Sequence, residues 1–310
     1  MIRGMRRSAA TLLSLLGLSA AAWAVYPFPD ITKKFEFSLS GGFAAPRFKG
    51  ATTYGDTWNY YFLTRVDERT TIDVVSKTAA SVAAGIAYYF SPQFGVQLQA
   101  AYHDAPIETT SNFRFNWTWS PAVGNGNFSR TSEWFGAGDL RTIPVSLNFI
   151  ARVGRGRFEA SVAGGPSVFI NTLTAETAFG YGFTKTNPPP PAPQVDQYVD
   201  ALRVPLEFRE RTWSRIGFNF SGGLVYKIGD TLGFSLEARY FFCPAKTLTW
   251  DFVAGQSDGL YFSGQFPILR NVPFTEDDAQ GILDDFKMTG LSVNPSFFQV
   301  VAGFKIYFGN

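Results

Sequence analysis

Apolar and polar residues exchange places at nearly every position in eight separate segments of this 310-residue chain. That period of two belongs to strands whose faces meet different surroundings. In the first segment Phe35, Phe37, Leu39, Phe43 and Ala45 oppose Glu36, Ser38, Ser40 and Gly42. The third sets Phe94, Val96, Leu98, Ala100 and Tyr102 against Gln97, Gln99 and His103. The last sets Phe298, Val300, Ala302, Phe304, Ile306 and Phe308 against Gln299, Gly303, Lys305 and Tyr307. Segments near 142–152, 215–227 and 232–240 read the same way, and Ala and Gly dilute the pattern near 76–90 and 157–173.

The connections alternate too. Ser91-Pro92-Gln93, Gly154-Arg155-Gly156 and Gly229-Asp230-Thr231 are short, whereas 49–75, 107–139, 174–211 and 247–290 are long. A soluble sandwich or a lipocalin-like barrel would also alternate, with the apolar face turned inward. Three features favour the opposite arrangement, apolar side out in lipid. Small residues (Gly42, Ala79, Ala83, Gly85, Gly165, Gly217, Gly223, Gly233, Gly303) crowd the polar face, as a narrow interior requires. Aromatic residues recur at the ends of the apolar face, like interfacial girdles. Short and long connections alternate strictly, as in a barrel that crosses a membrane up and down. The expected fold is therefore all-β, a closed antiparallel up-and-down transmembrane β-barrel of eight strands, with ten or twelve crossings as the alternative count. Phe113, Phe115, Trp117 and Trp119, and the stretch Leu248–Phe252, still alternate inside long connections; they are expected to continue strands beyond the bilayer as hairpin extensions.

Residues 1–24 read as an export signal, with Arg3, Arg6 and Arg7, an apolar run from Ala9 to Ala21 and the small-x-small site Ala22-Trp23-Ala24. Residues 25–310 are expected to form a single barrel domain. Loss of the three leader arginines takes the formal charge from +2 to −1, which argues against a nucleic-acid partner. Aromatic residues make up 17% of the chain, and mean hydropathy is −0.01, fitting strands with one face of each kind. One cysteine, Cys243, excludes an internal disulfide and Cys-rich metal sites, and one histidine, His103, excludes a His-rich site. No metal and no cofactor is expected.

The inward face carries charge. Following the pleat, Glu36, Lys77, His103, Arg152, Arg157, Glu159, Arg215, Lys227, Glu237, Arg239 and Lys305 point into the lumen. A charge network of Glu36, Arg152, Arg157, Glu159, Arg215, Glu237, Arg239 and Lys305 is the main candidate site. A turn at Arg155-Gly156 would set Arg152 opposite Glu159; a three-residue turn at Gly229-Asp230-Thr231 would set Ser221 opposite Arg239 and Gly223 opposite Glu237. Closure would bring Glu36 beside Lys305. Buried charges must be paired, so a salt-bridge plug is the simplest reading, and a gate whose pairs exchange is the other. His103 is expected as a hydrogen-bonded rim residue and Cys243 as a packing residue; no catalytic residue is assigned. Trp58, Tyr60, Tyr61 and Phe62, beside charges, are candidates for contact with an extracellular protein partner, with packing against the other loops as the alternative and slightly preferred reading. Asn187–Pro193 reads as a stiff polyproline II spacer. The acidic stretch 275–286 reads as a short capped helix, not as a calcium loop.

Gly303, Ile306 and Phe308 resemble the C-terminal signal of bacterial outer-membrane barrels, with Gly309-Asn310 following where that family ends on the aromatic residue. With the alternation of 25–48, 76–106, 140–173, 212–246 and 291–308, the chain resembles the small outer-membrane barrels of the OmpA, OmpX and OmpW type. The resemblance implies the outer membrane of a Gram-negative bacterium, with outer-membrane lipid, lipopolysaccharide and the barrel assembly machinery as partners. It leaves three functions: a structural or adhesive surface protein with a plugged lumen, which is the preferred expectation; a narrow gated channel for ions or small, including apolar, molecules; and a membrane lipid-modifying enzyme, for which no nucleophile–base pair is recognisable.

Overall fold

A computed structural model describes residues 34–60, 64–119, 126–185, 198–252 and 290–309. In chain order the strands are β1 (Phe35–Pro46), β2 (Lys49–Tyr60), β3 (Thr64–Ser76), β4 (Ala79–Tyr89), β5 (Phe94–Trp119), β6 (Gly126–Arg155) and β7 (Phe158–Lys185). They continue with β8 (Tyr198–Lys227), β9 (Leu232–Phe242), β10 (Lys246–Leu248), β11 (Asp251–Phe252), β12 (Leu291–Val293) and β13 (Phe297–Phe308). Eight close a ring: β1-β4-β5-β6-β7-β8-β9-β13 and back to β1, every pair antiparallel. Closure runs from Phe35↔Phe308 to Pro46↔Phe297, the full length of both strands. A closed ring leaves no strand edge at membrane depth, so the ladder itself can satisfy the backbone polar groups that lipid cannot hydrate.

The outer face of the ring is an apolar belt. Phe43, Phe220 and Ile216 are 67%, 68% and 70% exposed, and Leu39, Val82, Leu98, Leu147, Leu236 and Phe304 are exposed around the rest of the ring. Rings gather at the turn end, where Phe35 stacks on Phe308 at 5.6 Å and Phe158 meets Tyr226 edge-on at 5.3 Å. Such an exposed belt is stable only against an apolar medium, and its aromatic border suits the lipid–water boundary.

The turns at this end fix the register. β6 and β7 are joined through Gly156-Arg157, with Gly156 at φ +61°. That left-handed conformation favours glycine. The turn is one residue later than the expected Arg155-Gly156, so Gly154 pairs with Glu159 and Arg152 with Ser161. Arg152 does not lie opposite Glu159. Between β8 and β9, Ser221 pairs with Arg239 and Gly223 with Glu237, the register expected from the sequence.

Much of what reads as long loop is strand. The first connection contains the β2–β3 hairpin, and β5 to β8 run on well past the belt. The pleat does not slip there, but its two faces exchange polarity. On β5, Val96, Leu98 and Tyr102 face out, with Gln97, Gln99 and His103 buried. Higher up the same strand Pro106 and Glu108 face out, whereas Ala105, Ile107 and Phe113 are buried. The belt has given way to water outside, and an apolar core has formed inside.

That core is built by two sheet layers. β6 stays paired with β7 only up to Gly138↔Ala175, next to the irregularity between Leu173 and Ala175; above it β2-β3-β5-β6 and β7-β8 continue separately. A Cβ at Gly136 or Gly138 would collide with the β7 backbone at Glu176 or Thr174. Their bareness lets β7 lean inward until the Glu176 carbonyl accepts from Thr109 Oγ1 at 2.6 Å. Ile72, Val74, Ile107 and Leu140 from one layer then meet Leu173, Leu206 and Trp213 from the other. The small β10–β12 sheet adds Leu248, Leu291 and Val293. The polyproline stretch, the acidic 275–286 segment and the export signal lie outside the described residues.

Ile72→Ala is expected to cost the extension about 2–5 kcal/mol, as large-to-small changes in packed cores do. Limited proteolysis should then cut within β2–β3 faster than in wild type, while the membrane-embedded ring keeps its heat-dependent gel shift. Equal loss of both would mean that the two halves fold as one unit.

Candidate functional site: the charged lumen

Polar side chains of the ring's inner face lie in layers. Lys305, 1% exposed, is the hub of the lowest. Its Nζ lies 2.8 Å from Glu36 Oε1 and 3.3 Å from Glu237 Oε1. Arg239 holds the other Glu237 oxygen through Nη2 at 2.6 Å and Nε at 3.1 Å. Tyr89 Oη donates to Glu36 Oε2 at 2.9 Å. Glu159 meets Lys227 Nζ at 3.3 Å and accepts from Tyr307 Oη at 3.4 Å. The Arg152 guanidinium lies 3.4 Å from the Tyr89 ring centre, and its Nε donates to the Pro92 carbonyl at 3.1 Å. Among the described residues, three buried carboxylates (Glu36, Glu159, Glu237) face three buried cations (Arg152, Arg239, Lys305), with half-buried Lys227 at the turn-side rim.

Above the ions lies an amide layer. Arg239 Nη1 donates to Gln299 Oε1 at 3.4 Å, and Gln299 Nε2 donates to Ser81 Oγ. Asn219 Nδ2 donates to Asn148 Oδ1 at 2.7 Å, and Asn148 Nδ2 to Gln97 Oε1 at 3.2 Å. Ser146 and Ser167 share a hydrogen bond of 2.7 Å. Higher still, Phe241 stacks on Phe297 at 4.5 Å and meets Phe169 edge-on at 6.2 Å, with Ala44 and Cys243 completing the cluster. The lumen therefore passes from ions to amides to aromatic rings, and from there to the apolar core of the extension.

Six of the eight expected network residues meet here: Glu36, Arg152, Glu159, Glu237, Arg239 and Lys305. Arg157 does not, because the later turn makes it a turn residue; it is exposed and donates to Tyr226 Oη at 3.3 Å. Arg215 keeps the inward phase opposite Phe169 but is exposed and stands apart from the ions. Lys77 turns outward and pairs with Glu108 at 2.7 Å. His103 is not a rim residue: it is fully buried, its ring 4.2 Å from that of Phe297, and neither nitrogen has a hydrogen-bond partner among the described residues. Cys243 is buried, its backbone N–H donating to Ser296 Oγ at 2.9 Å. Tyr89 was not singled out from the sequence, although the alternation of its strand places it on the inner face with Ala87.

Gly303 faces inward opposite Ser40, while Ile306 and Phe308 face out at the end of the closing strand. Trp58 and Tyr60 belong to the backbone of β2; Tyr61 and Phe62 lie outside the described residues. No group of three or more His, Cys, Asp or Glu side chains among the described residues is placed to hold a metal ion.

A ring of eight strands with an apolar belt and a filled lumen defines a transmembrane β-barrel protein. No protein-family model matches the chain, and no curated protein sequence does. Solved structures resemble it distantly. OprG, an outer membrane protein of Pseudomonas aeruginosa, is 13% identical with a TM-score of 0.45, over 90% of this chain and 98% of that one. Ail, the attachment invasion locus protein of Yersinia pestis, solved with the heparin analogue sucrose octasulfate, is 9% identical at 0.31, over 88% and 99%. The outer membrane protease OmpT of Escherichia coli is 11% identical at 0.34, over 91% and 99%. At these identities nothing about their sites passes to this chain.

Lys305→Met should leave the Glu36 carboxylate without a cation and cost about 3–5 kcal/mol. Adding Glu36→Gln should recover much of that loss, since Glu237 keeps Arg239. The double-mutant cycle can be read from the urea midpoint of unfolding in vesicles; simple additivity would show that Glu36 and Lys305 act independently.

Proposed function

We propose that this protein is an outer-membrane barrel whose lumen is a structural plug and whose work is done by the extension on the long-loop, extracellular side, as a structural or adhesive surface. The observation that carries this reading is continuous filling of the inner face. Ion pairs, amides, aromatic rings and the core of the extension follow one another with buried side chains at each level. An interior of eight strands is just wide enough for side chains to fill it. The extension gives the barrel a rigid platform that flexible loops would not provide.

A second reading, a narrow gated channel, draws on one observation. Lys305 touches two carboxylates at once, so a small side-chain shift would exchange partners without leaving the cation unpaired. An enzymatic role is not proposed, and neither His103 nor Cys243 is assigned a reaction.

Single-channel recording in planar bilayers separates these readings. The refolded wild type, shown to be folded by its heat-dependent gel shift, is expected to be electrically silent. Replacing Phe241 and Phe297 together by alanine removes two of the three rings of the aromatic layer; with the core of the extension still in place, that variant should remain silent as well. Discrete openings of the wild type, altered in Glu159→Ala or Arg152→Ala, would overturn the plug and establish the channel.

A further inference from the structure

Basic side chains are spread unevenly around the rim where the apolar belt ends on the extension side. On β5 and β6, Arg141 is matched by Asp104 at 3.6 Å. On β7 and β8 the outward positions at this level, Thr172, Thr212 and Ser214, are uncharged, with the exposed Arg211 and Arg215 at the alternate positions of β8. The sector where β1 passes into β2 and β3 into β4 differs. Arg47 and Lys49 are exposed there on the outer face, and neither has a carboxylate within salt-bridge distance among the described residues. Continuing the ladder one step below Phe48 and Ser76, whose backbones are hydrogen-bonded at 3.0 Å, sets Lys77 opposite Arg47. The Lys77 partner, Glu108, is itself largely exposed, and such a pair is weak in water and readily exchanged.

The height of this group is set by the strand. Arg47 follows the last large belt residue of β1, Phe43, by four positions. At ~3.3 Å per residue and a barrel tilt of 35–45°, that is roughly 10 Å along the membrane normal, the level of the headgroups. The Arg47 guanidinium lies 5.9 Å from the ring centre of Tyr240 on β9, reaching across β13. A cation–π contact at that distance supplies no oxygen acceptor, so the guanidinium keeps its N–H donors for a phosphate.

We infer that Arg47, Lys49 and Lys77 form a docking rim for the phosphate headgroup of an anionic lipid in the leaflet on the extension side. The occupant follows from two features. The site continues the lipid belt without a break, so acyl chains below and phosphate above belong to one molecule. Three basic side chains gather there on the outer face, and among the described residues only Lys77 has a carboxylate within salt-bridge distance. The inference rests on reading the belt as membrane-embedded.

The test uses the full chain refolded into phosphatidylcholine vesicles with and without a minor fraction of lipid A. Lipid retained after gentle detergent extraction is measured by mass spectrometry. Wild type should retain lipid A in preference to phosphatidylcholine. The Arg47→Gln, Lys49→Gln, Lys77→Gln variant should lose roughly fivefold in retention per charge removed. Arg141→Gln, already neutralised by Asp104, should retain as wild type does. If the triple variant fails the gel-shift test of folding, Lys49→Gln alone is measured and should show one such step. Retention unchanged in the charge variants, no preference in wild type, or stripping of lipid A by inorganic phosphate would each overturn the site. Failure of the wild type to insert would instead overturn the membrane reading beneath it.

Discussion

Hydrogen-bonded closure between β1 and β13 is the contact on which the rest depends. Without it Phe35–Pro46 and Phe297–Phe308 would each expose a strand edge at membrane depth, where nothing else can pair their backbone groups. With it, the inner and outer faces of every strand are fixed at once, because a closed ring allows no strand to turn over without turning its neighbours. The rung Ser38↔Lys305 lies within this seam, and Glu36, on the next inward position of β1, supplies the carboxylate that Lys305 reaches. The central ion pair is therefore a consequence of closure: Lys305 reaches diagonally across the seam to Glu36, two residues from its own rung partner Ser38.

The same closure explains why polarity has to reverse along single strands. In the belt, lipid demands apolar side chains outside, which leaves the polar set inside. Beyond the belt, water surrounds the extension, and only an inward apolar set can stabilise it. β5 meets both demands on one pleat, with Tyr102 at the last apolar outward position and Ile107 and Phe113 among the apolar inward ones. Asp104 and Arg141 mark the crossover on the outside, and His103 against Phe297 marks it within.

Most of this was legible in the chain. Strict alternation and short–long connections gave eight crossings and the outer face. The reversal is legible as well: Phe113, Phe115, Trp117 and Trp119 occupy odd positions, while Val96, Leu98 and Tyr102 on the same strand occupy even ones. An alternation that changes phase without a turn signals a change of solvent. The β6–β7 turn was harder to read. Gly154-Arg155-Gly156 contains two glycines, and a turn placed one residue away shifts the register by two. Such a shift keeps every residue on its own face, so Arg152 and Glu159 were rightly placed inward while their partners were not. Glu159 pairs with Lys227 and Tyr307, and Arg152 stacks on Tyr89. Which face a residue takes depends on parity alone, but its partner depends on a local turn whose energetics sequence pattern does not resolve.

Charge is used differently at each depth, and dielectric surroundings account for the difference. Inside the ring an unmatched ion would carry a desolvation cost of several kcal/mol, so among the described residues the buried carboxylates and cations come in equal numbers, and tyrosine hydroxyls donate to Glu36 and Glu159. At the outer rim water screens each charge, pairs such as Lys77–Glu108 stabilise little, and an unmatched Arg47 or Lys49 costs almost nothing in the folded chain alone. Unmatched charge at the rim is therefore cheap to keep and free to act on whatever lies beside the barrel. Within the lumen the same side chains are committed to one another. By this reasoning the interior charges hold the barrel in register, and the proposed recognition falls to the rim and the extension above it.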